Sequence, residues 1–208
     1  MNNTINPEIF RAYDIRGIVD ETITADDAYL IGRAYAAMLH DVGETEVLTA
    51  CDVRLSTEAF LAQLHRGLID SGIVVTHLGQ IPTPVLYFAV NVLSIKNAMM
   101  LTASHNPANY NGMKMMIQTD VLSPEAIQGL YKRIIEKDFV SGEGSCQSDE
   151  VQGRYIETVI DQIHLARPLK CVIDCGNGIA GVLAPRLFKA LGAEVASLYE
   201  KPDGRFPN

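Results

Sequence analysis

Ser104 and His105 stand side by side in the segment LTASHNPANYNGMK, followed by Asn106, Asn109, Asn111, Gly112 and Lys114. A serine oxygen does chemistry when a neighbour manages its proton or when it carries a phosphoryl group. An α/β serine hydrolase needs G-x-S-x-G at its elbow, whereas here Thr102-Ala103 precede the serine and His105-Asn106 follow it. Adjacent residues of an extended chain also point apart, which places His105 poorly as a base for Ser104. A phosphoserine asks instead for donors and cations around a dianion. The loop offers side-chain amides from Asn106, Asn109 and Asn111, a tight turn at Gly112, and the ammonium of Lys114, which can return toward Ser104. Loop lysines are usually just solvated, so the surrounding pattern rather than the spacing carries this reading.

Three further clusters could do chemistry. FRAYDIRG, Phe10 to Gly17, gathers Arg11, Tyr13, Asp14 and Arg16, and taken alone reads as an edge strand with its arginines in water. CDVRLS places Asp52 near Arg54, an ordinary surface pair on spacing alone, with no catalytic role. DCGNG, Asp174 to Gly178, could cradle a phosphate at a helix start, but it is not G-x-G-x-x-G and reads better as a structural turn. Cys51, Cys146, Cys171 and Cys175 form no CxxC pair and read as reduced structural thiols rather than a zinc site.

The 208 residues are 48% hydrophobic and 20% charged, enough for a substantial core and more than one domain. With 25 acidic against 17 basic residues the formal net charge is -8, and no basic run is interleaved with aromatics, so nucleic acid is not an expected partner. MNNTINPEIF lacks the basic-then-apolar pattern of a leader, and no apolar run reaches membrane-span length, so no membrane partner and a cytoplasmic location are expected.

The elements that must position these residues follow from capping and periodicity. TADDAYLIGRAYAAM predicts a helix capped by Thr24 with Asp26 and Asp27 in its first turn. TEVLTACDV predicts a strand, and Ser56 should cap a helix running to Gly72. IVVTHLG is a strand, a helix begins after Pro84, NAMMLTAS is a buried strand leading into the serine motif, and MKMMIQ is a strand leaving it. Ser123-Pro124-Glu125 should open a helix to about Lys137. Strands alternating with helices imply an α/β fold, a mixed, mostly parallel sheet with helices on both faces. Ligands gather beyond the carboxyl ends of such strands, where Ser104 would sit. DFVSGEGSCQSD loses periodicity and reads as a linker, dividing the chain into 1–138, a linker 139–150, and a second α/β unit 151–208 with one strand–helix–strand crossover.

FRAYDIRG, then TASHNPANYNGMK, then VIDCGNGIAG resemble, in that order, the α-D-phosphohexomutase superfamily, and the bacterial phosphomannomutase/phosphoglucomutase branch more than the phosphoglucosamine mutases. The resemblance covers essentially the whole chain. It implies reversible phosphoryl transfer between the 1- and 6-positions of a hexose phosphate by way of a phosphoserine at Ser104, with glucose 1,6-bisphosphate as activator. It implies Lys114 as the proton-transfer group, Arg16 as its electrostatic partner, His105 positioning or protonating, and Tyr13, Asn106 and Asn111 beside Arg16 in substrate binding. One Mg²⁺ would touch the phosphate on Ser104. Where the family commonly has G-R-D-x-R, this chain has Ala50-Cys51-Asp52-Val53-Arg54, and the family's D-G-D-G-D-R metal loop does not occur in it. The expectation is therefore the N-terminal portion of a phosphohexomutase, inactive alone. The competing expectation is a non-catalytic binding or regulatory module derived from a mutase domain.

Overall fold

Thr24 caps the first long helix, as the sequence predicts, and the structure adds a reciprocal contact. Its backbone N–H donates to Asp27 Oδ2 at 2.8 Å and its Oγ1 accepts from Asp27 N at 3.2 Å, a capping box for α1, Ala25–Asp41. Ser123 likewise accepts from Ala126 N to begin α4, Pro124–Glu136, which ends where Lys137 turns left-handed. Ser56 precedes α2, Thr57–Ile69, but makes no side-chain cap bond, contrary to the sequence expectation. Its hydroxyl instead accepts from Asn111 Nδ2 at 2.9 Å. Such details come from a computed structural model that describes residues 5–208; the first four residues of the MNNTINPEIF segment lie outside the described residues.

The strands are β1 Ile15–Ile18, β2 Glu46–Cys51, β3 Val74–Gln80, β4 Ala98–Leu101, β5 Tyr110–Ile117, β6 Asp120–Val121, β7 Ser145–Ser148, β8 Lys170–Asp174 and β9 Glu194–Leu198. The main sheet runs β1-β5-β4-β2-β3-β7, with β6 on β5, and β8 and β9 form a separate parallel pair. Pairing is parallel from β4 through β2 and β3 to β7, and antiparallel at β4–β5 and β5–β1. The sequence's mixed, mostly parallel α/β class is the observed one. One element differs: β7 lies within the stretch read as a linker. Its polar Ser-Cys-Gln-Ser has no apolar alternation to read, because it is an exposed edge strand held to β3 by backbone hydrogen bonds.

Alternation along the central strands splits the core. Val47, Val75, Met99, Leu101, Met113 and Met115 face α1, α2 and α4, whereas Leu48, Ala50, Met100 and Met116 face α3, Thr83–Val92. Beside α3 packs the second unit, through α5, Gln152–Gln162. Tyr155 meets Phe88 edge to face at 5.2 Å, and Ile156 and Leu183 join the same apolar cluster. The short α6, Ala184–Ala190, packs on β9. Gly112 decides how closely β1 can approach β5: a Cβ there would stand 2.0 Å from the Ile15 carbonyl oxygen. Among the described residues no helix is long and apolar enough to cross a membrane.

On the far side of the sheet the single hydroxyl of Thr49 serves two imidazoles, His65 Nε2 at 2.9 Å and His77 Nδ1 at 3.1 Å. One hydroxyl can donate to one ring and accept from the other only while an acceptor nitrogen remains. Burial, and then the neighbouring His77, hold the His65 ring at about 4 against an ordinary 6.5, and burial lowers His77 as well. The unfolded chain therefore binds these protons first. Stability should be full above pH 6.5 and fall as pH drops toward 4. Urea midpoints measured across that range should decline more steeply for the parent than for His65→Gln; parallel curves would assign the acid sensitivity elsewhere.

Candidate active site

β2 and β4 are parallel neighbours, so the residues just past their carboxyl ends, Asp52–Arg54 and Thr102–Asn106, emerge together. Asp52 N donates to the Leu101 carbonyl at 3.0 Å, extending the pairing beyond the strands. Thr102 Oγ1 then donates to Asp52 Oδ2 at 2.7 Å and accepts from Ser104 N at 2.9 Å. Arg54 completes the circuit. Its Nε donates to Asp52 Oδ2 at 3.1 Å, one terminal nitrogen to the carbonyls of Pro107 and Tyr110, and the other to those of Ser104 and Asn106 at 3.0 and 2.8 Å. All five guanidinium hydrogens are engaged. Asp52 and Arg54 are 4% and 3% exposed, so the surface pair expected from spacing is a buried one that fixes the serine loop.

The clamp holds an unusual backbone. Ser104 has φ +56°, the left-handed region that a side chain rarely adopts, and its hydroxyl is exposed. The same twist undoes the extended-chain argument that separated serine from histidine: Ser104 Oγ lies 3.4 Å from His105 Nδ1. Asn106 donates its side-chain amide to the Ala103 carbonyl at 2.8 Å, closing the loop's first turn. Asn111, expected to contact substrate, is fully buried: its amide reaches Ser56, and its oxygen accepts from Gly112 N at 2.9 Å. It has no surface to offer a ligand and instead ties β5 to the start of α2.

Arg16 and Lys114 meet through the pairing of β1 with β5. Arg16 lies opposite Gly112, and Lys114 is two residues further on the same face. Both ion-pair with Asp14, Lys114 Nζ at 3.5 Å and Arg16 more closely. Asp14 is buried, so two cations share one carboxylate and the cluster keeps a net positive charge. Tyr13, beside it in sequence, is 68% exposed. Cys51, at the first-arginine position of the family pattern, is buried under β3, and burial followed by the charge of Asp52 pushes its thiol up to about 12. It packs as an inert apolar group.

Residues 7–141 match the family model described as phosphoglucomutase/phosphomannomutase, alpha/beta/alpha domain I. The chain belongs to this family. It is 48% identical over 205 residues to a phosphomannomutase/phosphoglucomutase of Pseudomonas aeruginosa, covering 99% of the chain and 44% of that protein. Against a phosphoglucomutase of Neisseria meningitidis it is 46% identical, again covering 97% of itself and 44% of the relative. A crystal structure of a phosphoglucomutase/phosphomannomutase family protein from Burkholderia thailandensis superposes with a TM-score of 0.94 at 43% identity, covering 98% of this chain and 46% of that one. The chain thus spans less than half the length of these phosphohexomutase relatives.

Among the described residues no three His, Cys, Asp or Glu side chains stand together as metal ligands. Magnesium takes about six oxygen ligands, and the donors here do not by themselves fit it. The residues to which sequence reasoning gave no role at the site are Asp14, Thr102 and the Asp52–Arg54 pair. The signal for Asp52 and Arg54 was positional: a charged pair directly after a strand that neighbours the serine's strand in a parallel sheet.

Arg54→Lys keeps the charge but cannot fork across the loop carbonyls. The substitution should destabilise the protein by about 3 kcal/mol, because buried carbonyls of the loop lose their donors. Urea unfolding of this variant checks it; a midpoint equal to the parent's would show that the clamp carries no stability.

Proposed function

We propose that this chain supplies the phosphoserine half of a phosphohexomutase site, which interconverts hexose 6-phosphate and hexose 1-phosphate through a bisphosphorylated sugar. The observation that supports this most directly is the exposed Ser104 hydroxyl, held left-handed beyond a parallel strand end by a fully engaged buried arginine. A loop so fixed presents its oxygen without further reorganisation, which is what a positioned nucleophile needs.

In the proposed reaction the Ser104 oxygen bonds to the phosphorus of glucose 1,6-bisphosphate, the bond from that phosphorus to the sugar oxygen breaks, and the serine proton passes to the oxygen that leaves. The reverse step on a hexose monophosphate returns the phosphoryl group. Lys114 is the proposed proton-transfer group, oriented by Asp14, and Arg16 adds positive charge where the phosphoryl oxygens gain negative charge. His105, beside the serine oxygen, is proposed to steady it or to share its proton. Tyr13 and Asn106 are proposed to line the substrate side, Tyr13 by its exposure and Asn106 by its place in the loop. A Mg²⁺ at the phosphate on Ser104 would supply charge neutralisation, and its other ligands and the sugar-recognition contacts are proposed to come from the part of the relatives that this chain does not span. We infer that these residues alone accept a phosphoryl group but do not sustain turnover.

Intact-mass spectra before and after incubation with glucose 1,6-bisphosphate, with fragmentation, should locate one phosphoryl group on Ser104, and Ser104→Ala should remain unmodified. Phosphoryl transfer to another residue, or to none, would overturn the reading.

A further inference from the structure

The DCGNG turn and the PDGRFPN segment have no part in the reaction described above, yet they are bound to one another, and the second of them reaches the segment after β2 that carries Arg54. Asn177, in the left-handed region at φ +56°, accepts from Asp203 N at 2.8 Å through its carbonyl, and its side-chain amide donates to the Lys201 carbonyl at 2.9 Å. Asn208 donates to Asn177 Oδ1 at 2.9 Å. From this anchor the chain turns back toward the main sheet. Gly204 lies so close to the segment after β2 that a Cβ would stand 2.4 Å from the Val53 carbonyl oxygen and 2.7 Å from Leu55 N. Phe206, at φ +48° and with its N–H on the Asp203 carbonyl, places its ring 5.2 Å from the centre of the Arg54 guanidinium.

Arg54 is the group that fixes the serine loop, and Phe206 lies over it. Phe206 also lines two cavities that both reach Ser104. One, of about 360 Å³, is lined by Asp52, Pro82 and Thr102; the other, of about 510 Å³, by Arg54, His105 and Arg205. An aromatic face over a guanidinium attracts it and excludes water that would compete for its hydrogen bonds.

We propose that Phe206 is a positioning residue for the Ser104 loop: the turn from Asp203 to Phe206, hung from Asn177, straps Arg54 onto the four carbonyls it holds. The functional meaning of the strap rests on the reading of Ser104 as the phosphoryl acceptor, but its mechanical content does not. The left-handed backbone at both Ser104 and Phe206 is then one constraint reached from two units of the chain. The strap also gives the Gly-rich turn its use, as a hinge point for a contact with the first unit rather than as a phosphate cradle.

Hydrogen exchange read by mass spectrometry tests this in the 208-residue chain. Phe206→Ala should speed exchange of amides 104–110 about tenfold while leaving β2 unchanged. Gly204→Ala, which pushes the strap away without touching the ring, should loosen the same amides, and Phe206→Tyr, which keeps the aromatic face, should restore protection. Unchanged exchange in Phe206→Ala, or acceleration spread equally over β2, overturns the strap. Absence of phosphoryl transfer to parent Ser104 would remove the proposed function while leaving this exchange result intact, so the two failures are distinguishable.

Discussion

Arg54 is the constraint on which the site depends. A guanidinium with five donors in one plane can bind several carbonyls at fixed angles, and here it gathers a carboxylate and four loop carbonyls around a single buried charge. Buried away from water, that charge would be costly without partners, so the loop cannot relax without stranding it. The left-handed Ser104 is stable because its N–H and C=O are both tied into the same ring of Thr102, Asp52 and Arg54.

The cation cluster obeys a second constraint, the closeness of β1 to β5. Gly112 lets the two backbones meet, which sets Arg16 and Lys114 on one face and allows the single carboxylate of Asp14 to hold both. A larger residue at 112 would separate the strands before any side chain could compensate. Packing also joins the segment that follows β7 to the main sheet: Phe88 against Tyr155 on one side and Phe206 over Arg54 on the other leave it in contact with both a helix and the arginine that holds the serine loop.

Much of the fold was legible because its signals are local. The Thr24 cap, the Ser123-Pro124 start and the alternation in the central strands each rest on residues a few positions apart. Strand β7 was not legible, because an exposed polar edge owes its structure to a neighbour's backbone rather than to its own side chains. Ser56 misled for a related reason: its backbone is already helical, and its hydroxyl accepts from distant Asn111 rather than from the helix beside it.

The sequence by itself determined the class of fold, the place of the serine loop beyond a strand, and the residue types that mark the phosphoglucomutase/phosphomannomutase family. Only the tertiary structure decided what Asp52, Arg54, Asn111 and Phe206 do. Spacing within a chain cannot tell a surface ion pair from a buried clamp, since that difference lies in which strand ends adjoin and how far water is excluded from between them.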